Sequence, residues 1–243
     1  MAFRLMAGLV IIVLSITLSS ITASSQDTYG PACGRATIDG RVDPGEWTAA
    51  DSKTFSMINP ANQAILTATM RVMNSKNYLY LGITIDDDEF SLYGENLCCG
   101  DGFRIDFDND NSGSLYALND NVLFINAAPP IFEDSYLYSG SSSQADTLAG
   151  GTSDGAGFSS RQGSLNHFEL RHPLCSGDSF DFCLSPGDTV GFRLEYLDAQ
   201  ADGSFGGSYL YPPYSDINQL LNHIVIAPCT IDDFFLYLPL VNK

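Results

Sequence analysis

A run of acidic and hydroxyl side chains near the middle of the chain has the chemistry of a cation site. It reads Asp106-Phe107-Asp108-Asn109-Asp110-Asn111-Ser112-Gly113. Calcium prefers six to eight oxygen ligands, and the run offers oxygens at alternating positions, from Asp106, Asp108, Asp110 and Ser112. Counted from Asp108, the twelfth position is Asn119 and not the glutamate of an EF-hand, although Asn119 or Asp120 could complete a partial oxygen cage. Calcium is therefore the expected cofactor, and the alternative is a solvated Asp/Asn turn.

A second acidic segment, Asp86-Asp87-Asp88-Glu89, follows a predicted strand. Four adjacent carboxylates repel one another, so either solvent screens them or a cation neutralises them. A solvated turn is the favoured interpretation.

Aromatic side chains form a candidate sugar platform in one stiff segment, with Tyr209, Tyr211 and Tyr214 beside Pro212 and Pro213. Stiff tyrosine rings can bind a ligand at low cost in conformational entropy, and the alternative is packing within an edge strand. The single tryptophan, Trp47, could also stack on a sugar or lie in the core with its N–H hydrogen-bonded. Tyr136 and Tyr138 form a weaker platform, because both would point to one face of a strand.

Motifs for catalysis are absent from the sequence. It contains no Gly-x-Ser-x-Gly elbow, no phosphate-binding glycine loop and no His-Glu-x-x-His helix. The chain has 29 acidic residues, but their number alone does not indicate the carboxylate pair of a glycoside hydrolase. We therefore expect a protein that is not an enzyme.

Charge excludes one class of partner. The formal net charge is −18, from 29 acidic and 11 basic residues. Binding to nucleic acid needs clustered Lys and Arg to neutralise phosphates, so a nucleic-acid partner is not expected.

Residues 1–25 resemble an export signal. Arg4 is their only charge, residues 9–18 are apolar apart from Ser15 and Thr17, and small residues follow up to Ala23 and Ser25. The apolar stretch is shorter than the ~20 residues that span a bilayer. We expect cleavage, a secreted or cell-surface protein, and no membrane span in the mature chain.

Six cysteines agree with export: Cys33, Cys98, Cys99, Cys175, Cys183 and Cys229. The sequence does not determine their connectivity. Cys175 and Cys183 could pair locally, and Cys33 and Cys229 could join the two ends of the mature chain. A cysteine-based zinc site is not indicated, because no second Cys pair has the required spacing and the chain has only three His.

Alternation of apolar and polar residues predicts strands along the chain. The candidate segments are 66–72, 79–86, 103–107, 122–126, 136–138, 165–171, 189–196, 223–227 and 234–238. The best helical candidate is short, at 215–222, and the Gly/Ser-rich stretch 139–164 predicts a mobile loop. The pattern predicts an all-β protein, an antiparallel β-sandwich of about ten strands in a single domain.

Five spaced motifs carry a family resemblance. They are Ile38-Asp39-Gly40 with Glu46-Trp47, the strand from Leu79 to Asp86, the acidic strand from Asp101 to Asp110, Glu169-Leu170-Arg171-His172-Pro173-Leu174, and the Pro186-Gly187-Asp188 turn into a strand. In this order they resemble the carbohydrate-binding module family 9-like domains, of the DOMON-like β-sandwich superfamily. The resemblance covers about residues 35–228.

The resemblance implies a domain organisation and a function. Residues 1–25 would be the signal peptide, 26–34 a lead, 35–228 the sandwich, and 229–243 a last strand or a sorting tail. The domain would be a secreted, non-catalytic carbohydrate-binding module, calcium-stabilised, with a polysaccharide or glycan partner. Sugar binding in the best-known members rests on two facing tryptophans, whereas this chain has one.

Two alternatives stay open. The domain could be a structural or adhesion domain that binds a cell-envelope protein through its loops. It could also be a haem-binding electron-transfer domain, as in distant relatives of this sandwich, with ligands among His167, His172, His223, Met57, Met70 and Met73.

Overall fold

Antiparallel strand pairing forms nearly all of the regular structure. The computed structural model describes residues 26–91, 100–113, 121–126, 131–139, 142–202, 204–212 and 221–230. Its strands are β1 (Thr28–Tyr29), β2 (Asp51–Ile58), β3 (Ile65–Asn74), β4 (Tyr78–Asp86), β5 (Gly102–Asp108), β6 (Asn121–Asn126), β7 (Phe132–Ser139), β8 (Ser142–Ala145), β9 (Ala156–Gln162), β10 (Leu165–Pro173), β11 (Thr189–Ala199), β12 (Phe205–Tyr211) and β13 (Asn222–Val225). A short 3-10 helix, Asp146–Leu148, is the one helical segment among the described residues.

The strands are divided between two sheets. The first sheet has the order β8-β7-β6-β5-β11, and β11 then pairs with β13 through its first half and with β12 through its second half. The second sheet has the order β2-β3-β4-β10-β9. The sheets join where Leu210 of β12 pairs with Ile58 of β2, and β1 adds in parallel to β13. The predicted all-β antiparallel sandwich is confirmed, with thirteen strands instead of about ten.

The core lies between the sheets and follows the predicted alternation. The residues at alternate positions of β4 and β5 are fully buried, namely Leu79, Leu81, Ile83, Ile85, Phe103, Ile105 and Phe107. The outward side of β4 is also covered, which alternation did not indicate. Trp47 packs so closely over Gly82 that a Cβ there would lie 2.8 Å from the indole ring.

The prediction of a mobile loop over 139–164 is wrong for the residues described there. Four of them form β8, and Ala156–Gln162 form β9, which pairs with β10 along its whole length. Both are edge strands, so backbone hydrogen bonds to one neighbour define them and an apolar face is not required. Their Gly- and Ser-rich composition therefore hid them from a search for alternation.

Two disulfides hold the described chain, and both had been suggested by position in the sequence. Cys33 pairs with Cys229, and Cys175 pairs with Cys183. Cys98, Cys99, the signal segment, the candidate strand 234–238 and most of the candidate helix 215–222 lie outside the described residues. Asn222, at the end of that predicted helix, begins β13.

Candidate functional site

Strand β10 carries several of the buried polar side chains described below. Its inward face packs against the core, and its outward face packs against the N-terminal segment. Its inward face carries Asn166, Phe168, Leu170 and His172 in alternation. Phe168 and Leu170 belong to the central core, so Asn166 and His172 lie at its two ends. Acidic side chains from other elements converge at both ends.

The outward face of β10 holds the N-terminal segment through Glu169. One carboxylate oxygen of Glu169 accepts hydrogen bonds from the backbone N–H groups of residues 39, 40 and 41, at 3.0, 2.9 and 3.1 Å. The other oxygen accepts the indole N–H of Trp47 at 2.9 Å. Two of the five family-like motifs therefore meet in one contact, which we call the Glu169 clasp (residues 39–41, Trp47 and Glu169). Trp47 is 3% exposed, so its ring takes the core position that was the alternative to sugar stacking.

A cleft opens at the Asn166 end of the sandwich. It has a volume of about 570 Å³ and is lined by Leu66, Asp86, Asp87, Asp88, Ser164, Asp198, Gln200 and Tyr209. We call it the acidic cleft. The turns after β4, β9 and β11 supply half of its lining residues, and Tyr209 of β12 supplies an aromatic surface.

A buried polar network forms the floor of the acidic cleft. The hydroxyl of Tyr196 donates to Asp87 Oδ2 at 2.6 Å, and Asn166 Nδ2 donates to the Tyr196 oxygen at 2.9 Å. Asp101 accepts the backbone N–H groups of Ser91 and Ala199, both at 2.9 Å. These bonds fix the floor to four separate chain segments, so the cleft is preorganised.

Arg161, on the neighbouring strand β9, forms hydrogen bonds to the acidic turn that follows β4. Arg161 of β9 donates to Asn166 Oδ1 at 2.7 Å and to the carbonyl oxygens of Asp87 and Asp88 at 3.1 and 3.0 Å. Because two of these acceptors are backbone carbonyl oxygens, Arg161 orients the turn and leaves the side-chain carboxylates of Asp87 and Asp88 open to other contacts.

Carboxylates crowd together in the floor. Ligand-type oxygens of Asp87, Asp101 and Asp198 all lie within 4.8 Å of one another. Burial, followed by the charges of its neighbours Asp87 and Asp198, raises the pKa of Asp101 to about 7. Burial and the adjacent carboxylates likewise raise the pKa of Asp198 to about 6.

These raised pKa values predict that the protein becomes less stable as the pH rises. The ordinary Asp pKa is 3.8, so between that value and about 7 the folded state binds a proton at Asp101 that the unfolded state has released. Stability from this group is complete below pH 3.8 and is lost as the pH passes through about 7. We expect a loss on the order of 3 kcal/mol between pH 4 and pH 8. Denaturant titrations across this range measure it.

Asp101→Asn should make that profile less steep, and part of the slope should remain because burial also raises the pKa of Glu169 to about 7. Asp202→Asn, in an exposed turn, should leave the profile unchanged. Stability that instead increases from pH 4 to pH 8 in wild type would show that the carboxylates of the floor are ionised throughout.

The acidic cleft suits a neutral ligand that is rich in hydroxyl groups. Carboxylates accept hydrogen bonds from hydroxyls, and anionic ligands would be repelled by Asp86, Asp87, Asp88 and Asp198. Tyr209 and Leu66 offer apolar contact for C–H groups of a ring.

The candidate tyrosines occupy different places. Tyr209 is 8% exposed and lines the acidic cleft. Tyr211 is 4% exposed, stacks on Phe55 with ring centroids 3.7 Å apart, and donates its hydroxyl hydrogen bond to Asp27. Tyr214 lies outside the described residues. The two tyrosines therefore have different roles: Tyr209 lines the acidic cleft, and Tyr211 packs within the fold.

The weaker pair of tyrosines lies on β7, which is a strand as expected. Tyr136 stacks on Phe180 with centroids 4.2 Å apart, and Tyr138 is 48% exposed. They stand on a different strand from the lining of the acidic cleft.

The proposed calcium ligands divide into two groups. Asp106 accepts hydrogen bonds from Arg104 at 2.6 Å and from Arg193 at 3.0 Å, so arginines already neutralise it. Asp108 is buried and accepts the backbone N–H groups of Ser112 and Gly113 at 3.0 and 2.7 Å, which closes a turn. Asp110 accepts the Ser112 N–H at 3.1 Å.

The two carboxylates of that turn influence each other. Burial raises the pKa of Asp108, and the neighbouring Asp110 raises it further. The turn thus retains a pair of adjacent carboxylates, whereas Asp106 does not belong to it. Asn119 and Asp120 lie outside the described residues.

The histidines and methionines named for haem lie in unrelated positions. Met57 and Met70 are in the central core, and Met73 packs in the small cluster beneath the N-terminal segment. His167 Nδ1 accepts the backbone N–H of Val42 at 3.1 Å. His172 lies in the second acidic cluster, at the other end of the core.

Sequence reasoning missed several residues of these clusters. Asn166, Asp198 and Gln200 were not singled out, and His172 was considered only for haem. A signal existed for part of this set: the Glu-x-x-x-Pro-Leu motif marked β10, and the alternation within it places Asn166 and His172 on the inward face.

Comparisons with known proteins agree with the fold. Residues 38–208 match the family model described as "Carbohydrate family 9 binding domain-like". A carbohydrate binding module family 9 from Caldicellulosiruptor kristjanssonii, solved in complex with cellotriose, is 16% identical with a TM-score of 0.58 over 83% of this chain and 94% of that chain. A carbohydrate binding module family 9 from the same organism, solved in complex with glucose, is 14% identical with a TM-score of 0.57 over 85% of this chain and 100% of that chain.

At such identities the solved structures establish the fold alone. No curated protein matches the chain by sequence. The family model, however, spans well over half of the chain, including the strands and turns that form the Glu169 clasp and most of the acidic cleft. The chain therefore belongs to the carbohydrate family 9 binding domain-like family.

Proposed function

We propose that this chain is a secreted, non-catalytic module that binds a neutral polysaccharide or glycan in the acidic cleft. Membership of the family supports carbohydrate binding. The two similar solved structures were obtained with cellotriose and glucose, both neutral sugars. The observation that carries the proposal is the cleft itself, where Tyr209 stands beside carboxylate and amide side chains that can accept hydrogen bonds from sugar hydroxyls.

The best-known members use two tryptophans, whereas the single tryptophan of this chain, Trp47, is buried in the Glu169 clasp, so the apolar contact must come from other side chains. Tyr209 and Leu66 line the cleft and could supply it. Gln200 and Asp88 would then fix orientation through polar contacts, as in ligand sites where a few polar groups act within an apolar surface.

Tyr209→Ala is expected to weaken binding of cellotriose about 10- to 100-fold, because a buried aromatic contact contributes about 1.5–3 kcal/mol. Isothermal titration calorimetry with cellotriose and glucose measures this. Tyr138→Ala is the matched control, since Tyr138 lies on β7, away from the cleft lining.

The pair of variants also locates the platform. If Tyr138→Ala abolishes binding and Tyr209→Ala does not, the platform is on β7 and the cleft assignment is wrong. Because Tyr209 is largely buried, Gln200→Ala serves as a second cleft variant with little effect on folding. If no neutral glycan binds to wild type, the alternative of an adhesion domain with a protein partner is favoured.

Export is part of the proposal. Two disulfides in the described chain suit an oxidising compartment, and none of the described residues forms a helix with the length and hydrophobicity of a membrane crossing. Residues 1–25 would be removed on secretion. Mass spectrometry of the protein recovered from culture medium tests this, with a new N-terminus expected near residue 24 or 26.

Calcium is proposed as a stabilising ion at the turn of Asp108, Asp110 and Ser112. A cation would compensate the adjacent carboxylates of Asp108 and Asp110, where burial and the side-chain contact with Asp110 raise the pKa of Asp108. Saturation at 100 times Kd should stabilise the fold by about 2.7 kcal/mol, measured by calorimetric melting with calcium and with chelator. Asp110→Asn should remove the calcium effect, and an equal calcium effect in wild type and in Asp110→Asn would exclude this turn.

A further inference from the structure

The far end of the sandwich from the acidic cleft holds a histidine among buried carboxylates. Asp134 comes from β7, His172 from the end of β10, and Asp181 from the loop closed by the Cys175–Cys183 disulfide. Asp146 begins the short 3-10 helix. We call these four side chains the His172 cluster, and all four are buried.

Three hydrogen bonds orient the side chains of the cluster toward one point. His172 Nδ1 lies 2.9 Å from the carbonyl oxygen of Pro173, so Nδ1–H donates there and Nε2 is left facing the carboxylates. Asn121 Nδ2 donates to Oδ1 of Asp134 at 3.0 Å and to Oδ1 of Asp181 at 2.7 Å. These bonds leave the Oδ2 atom of each aspartate on the side of His172, and Asp134 Oδ2 also accepts the backbone N–H of Asp154 at 2.7 Å. A histidine tied to a backbone carbonyl and carboxylates held by a neighbouring amide are the usual supports of metal ligands.

Several polar atoms of the cluster are buried without a partner. His172 Nε2, Asp181 Oδ2, Asn121 Oδ1 and both carboxylate oxygens of Asp146 have no hydrogen-bond partner among the described residues. Nearly all buried polar groups in native proteins are hydrogen-bonded. The ring of Phe182, 4.8 Å from that of His172, forms an apolar wall that makes uncompensated charge still more costly. The space between these atoms therefore suits a polar or charged ligand that would satisfy them.

The spacing of these atoms suits a metal better than a shared proton. His172 Nε2 lies 3.5 Å from Asp134 Oδ2 and 3.5 Å from Asp181 Oδ2. Charge-assisted N–H···O bonds are shorter, about 2.7–2.9 Å. In a tetrahedral zinc site with ligands at 2.0–2.2 Å, neighbouring ligand atoms stand about 3.3–3.6 Å apart. The oxygens and Nε2 together lie within 4.8 Å of one another.

A protonated His172 is the competing occupant. Burial lowers the pKa of His172, but hydrogen bonding and charge from Asp134 and Asp181 outweigh it and raise the pKa to about 9. One imidazolium charge faces the two carboxylates of Asp134 and Asp181, and burial together with the charges of these two aspartates raises the pKa of the nearby Asp146 to about 8. A divalent cation compensates more of this charge than a proton does.

We propose that the His172 cluster binds a divalent transition-metal ion of the zinc type, with His172 Nε2, Asp134 Oδ2 and Asp181 Oδ2 as ligands. Calcium and magnesium prefer ligand sets made of oxygen alone, whereas imidazole with carboxylates suits zinc and its neighbours. Asp146 lies nearby, and the charge of the ion would favour the ionised form of its carboxyl group. The ion would tie the disulfide loop to β7 and β10 and so close this end of the sandwich.

Zinc binding by wild-type protein, freed of any histidine tag and treated with chelator, is the first measurement. Calorimetric titration should show one zinc ion per chain. At 100 times Kd the melting temperature should rise by about 5–10 °C. Cobalt(II) should give the visible absorption of a four-coordinate ion with nitrogen and oxygen ligands.

Two near-isosteric variants and two controls identify the ligands. His172→Gln and Asp181→Asn should each weaken zinc binding by more than about 100-fold, since even an indirect partner of a metal ligand contributes 10- to 100-fold. His223→Gln and Asp178→Asn should bind zinc like wild type, since neither side chain belongs to the cluster and Asp178 lies in the same disulfide loop. The calcium effect proposed above should be equal in His172→Gln and wild type, which separates the two metal sites.

Absence of stoichiometric zinc or cobalt binding by wild type would overturn the proposal, whatever the variants do. So would zinc binding that survives in both His172→Gln and Asp181→Asn. Nitrogen NMR that finds His172 protonated on both ring nitrogens at neutral pH with zinc present would assign the cluster to the imidazolium instead.

Discussion

Glu169→Ala should lower the free energy of unfolding by about 3 kcal/mol. The substitution leaves the indole N–H of Trp47 and the backbone N–H groups of Asp39 and Gly40 without their acceptor, whereas the N–H of Arg41 keeps Asp39 Oδ1 at 3.0 Å. A buried donor without a partner costs about 1–3 kcal/mol, but residues 39 and 41 are exposed, so water can hydrate part of the set. Removal of a buried carboxylate also relieves some desolvation, which keeps the expected loss below the simple sum. Urea denaturation at pH 7 measures it.

Glu46→Ala is the matched control for Glu169→Ala, because Glu46 is exposed and adjoins Trp47 in the sequence. Its effect should stay within about 0.5 kcal/mol. Glu169→Gln keeps the shape of the side chain and one acceptor oxygen, so its loss should fall between the two. If Glu46→Ala costs as much as Glu169→Ala, the clasp does not stabilise the fold in the way its hydrogen bonds indicate.

The Glu169 clasp also gives a physical reason for the family-like motifs. The Ile-Asp-Gly turn supplies N–H donors, Trp47 supplies its indole N–H, and Glu169 supplies the acceptor. The motifs thus mark a contact that attaches the N-terminal segment to β10. The two motifs of the clasp identify the domain, while the side chains that line the acidic cleft lie outside these two motifs.

Replacing Cys33 and Cys229 by serine should destabilise the protein more than replacing Cys175 and Cys183. The first disulfide joins residues 196 positions apart and the second joins residues 8 positions apart. In the chain-entropy account the two loops correspond to about 5 and about 2.5 kcal/mol. The larger value belongs to Cys33–Cys229, because joining the ends of a longer unfolded segment removes more conformational entropy.

Guanidinium denaturation of both double variants, without zinc, measures the difference. Zinc must be absent because Asp181 lies within the smaller loop. The segments joined by Cys33–Cys229 are also held by Asn74, whose side chain exchanges hydrogen bonds with the backbone of Ala227 at 2.8 and 3.0 Å. Equal losses in the two double variants would show that these contacts, and not loop closure, dominate at the ends of the chain.

Sequence patterns alone predicted much of the fold, because a strand with one buried face must alternate. The segments of β3, β4, β5 and β11 were found this way, and their inward residues are buried. Edge strands escaped, since β8 and β9 are defined by backbone pairing to a neighbour. The disulfide pairs could be suggested from position, because a short loop and the two ends of a domain are natural places for cross-links.

The candidate site was less predictable. The tyrosines of one short segment looked equivalent in sequence, yet Tyr209 lines the acidic cleft and Tyr211 packs on Phe55. Similarly, Asp106 and Asp108 looked like joint calcium ligands, but two arginines neutralise Asp106. Such differences depend on contacts with residues that are distant in the sequence. The local spacing of residues therefore does not predict them.

By itself, the sequence determined that this chain forms sheets, carries a strong negative charge and has the motifs of its family, since composition and alternation act locally. Only the tertiary structure decided which polar groups meet. His172 faces Asp134 and Asp181 because β10, β7 and the disulfide loop end at one place in the sandwich. Asn166 meets Asp87 and Asp101 at the other end for the same reason. Contacts between residues far apart in the chain follow from sheet order and register, which the packing of the whole core selects.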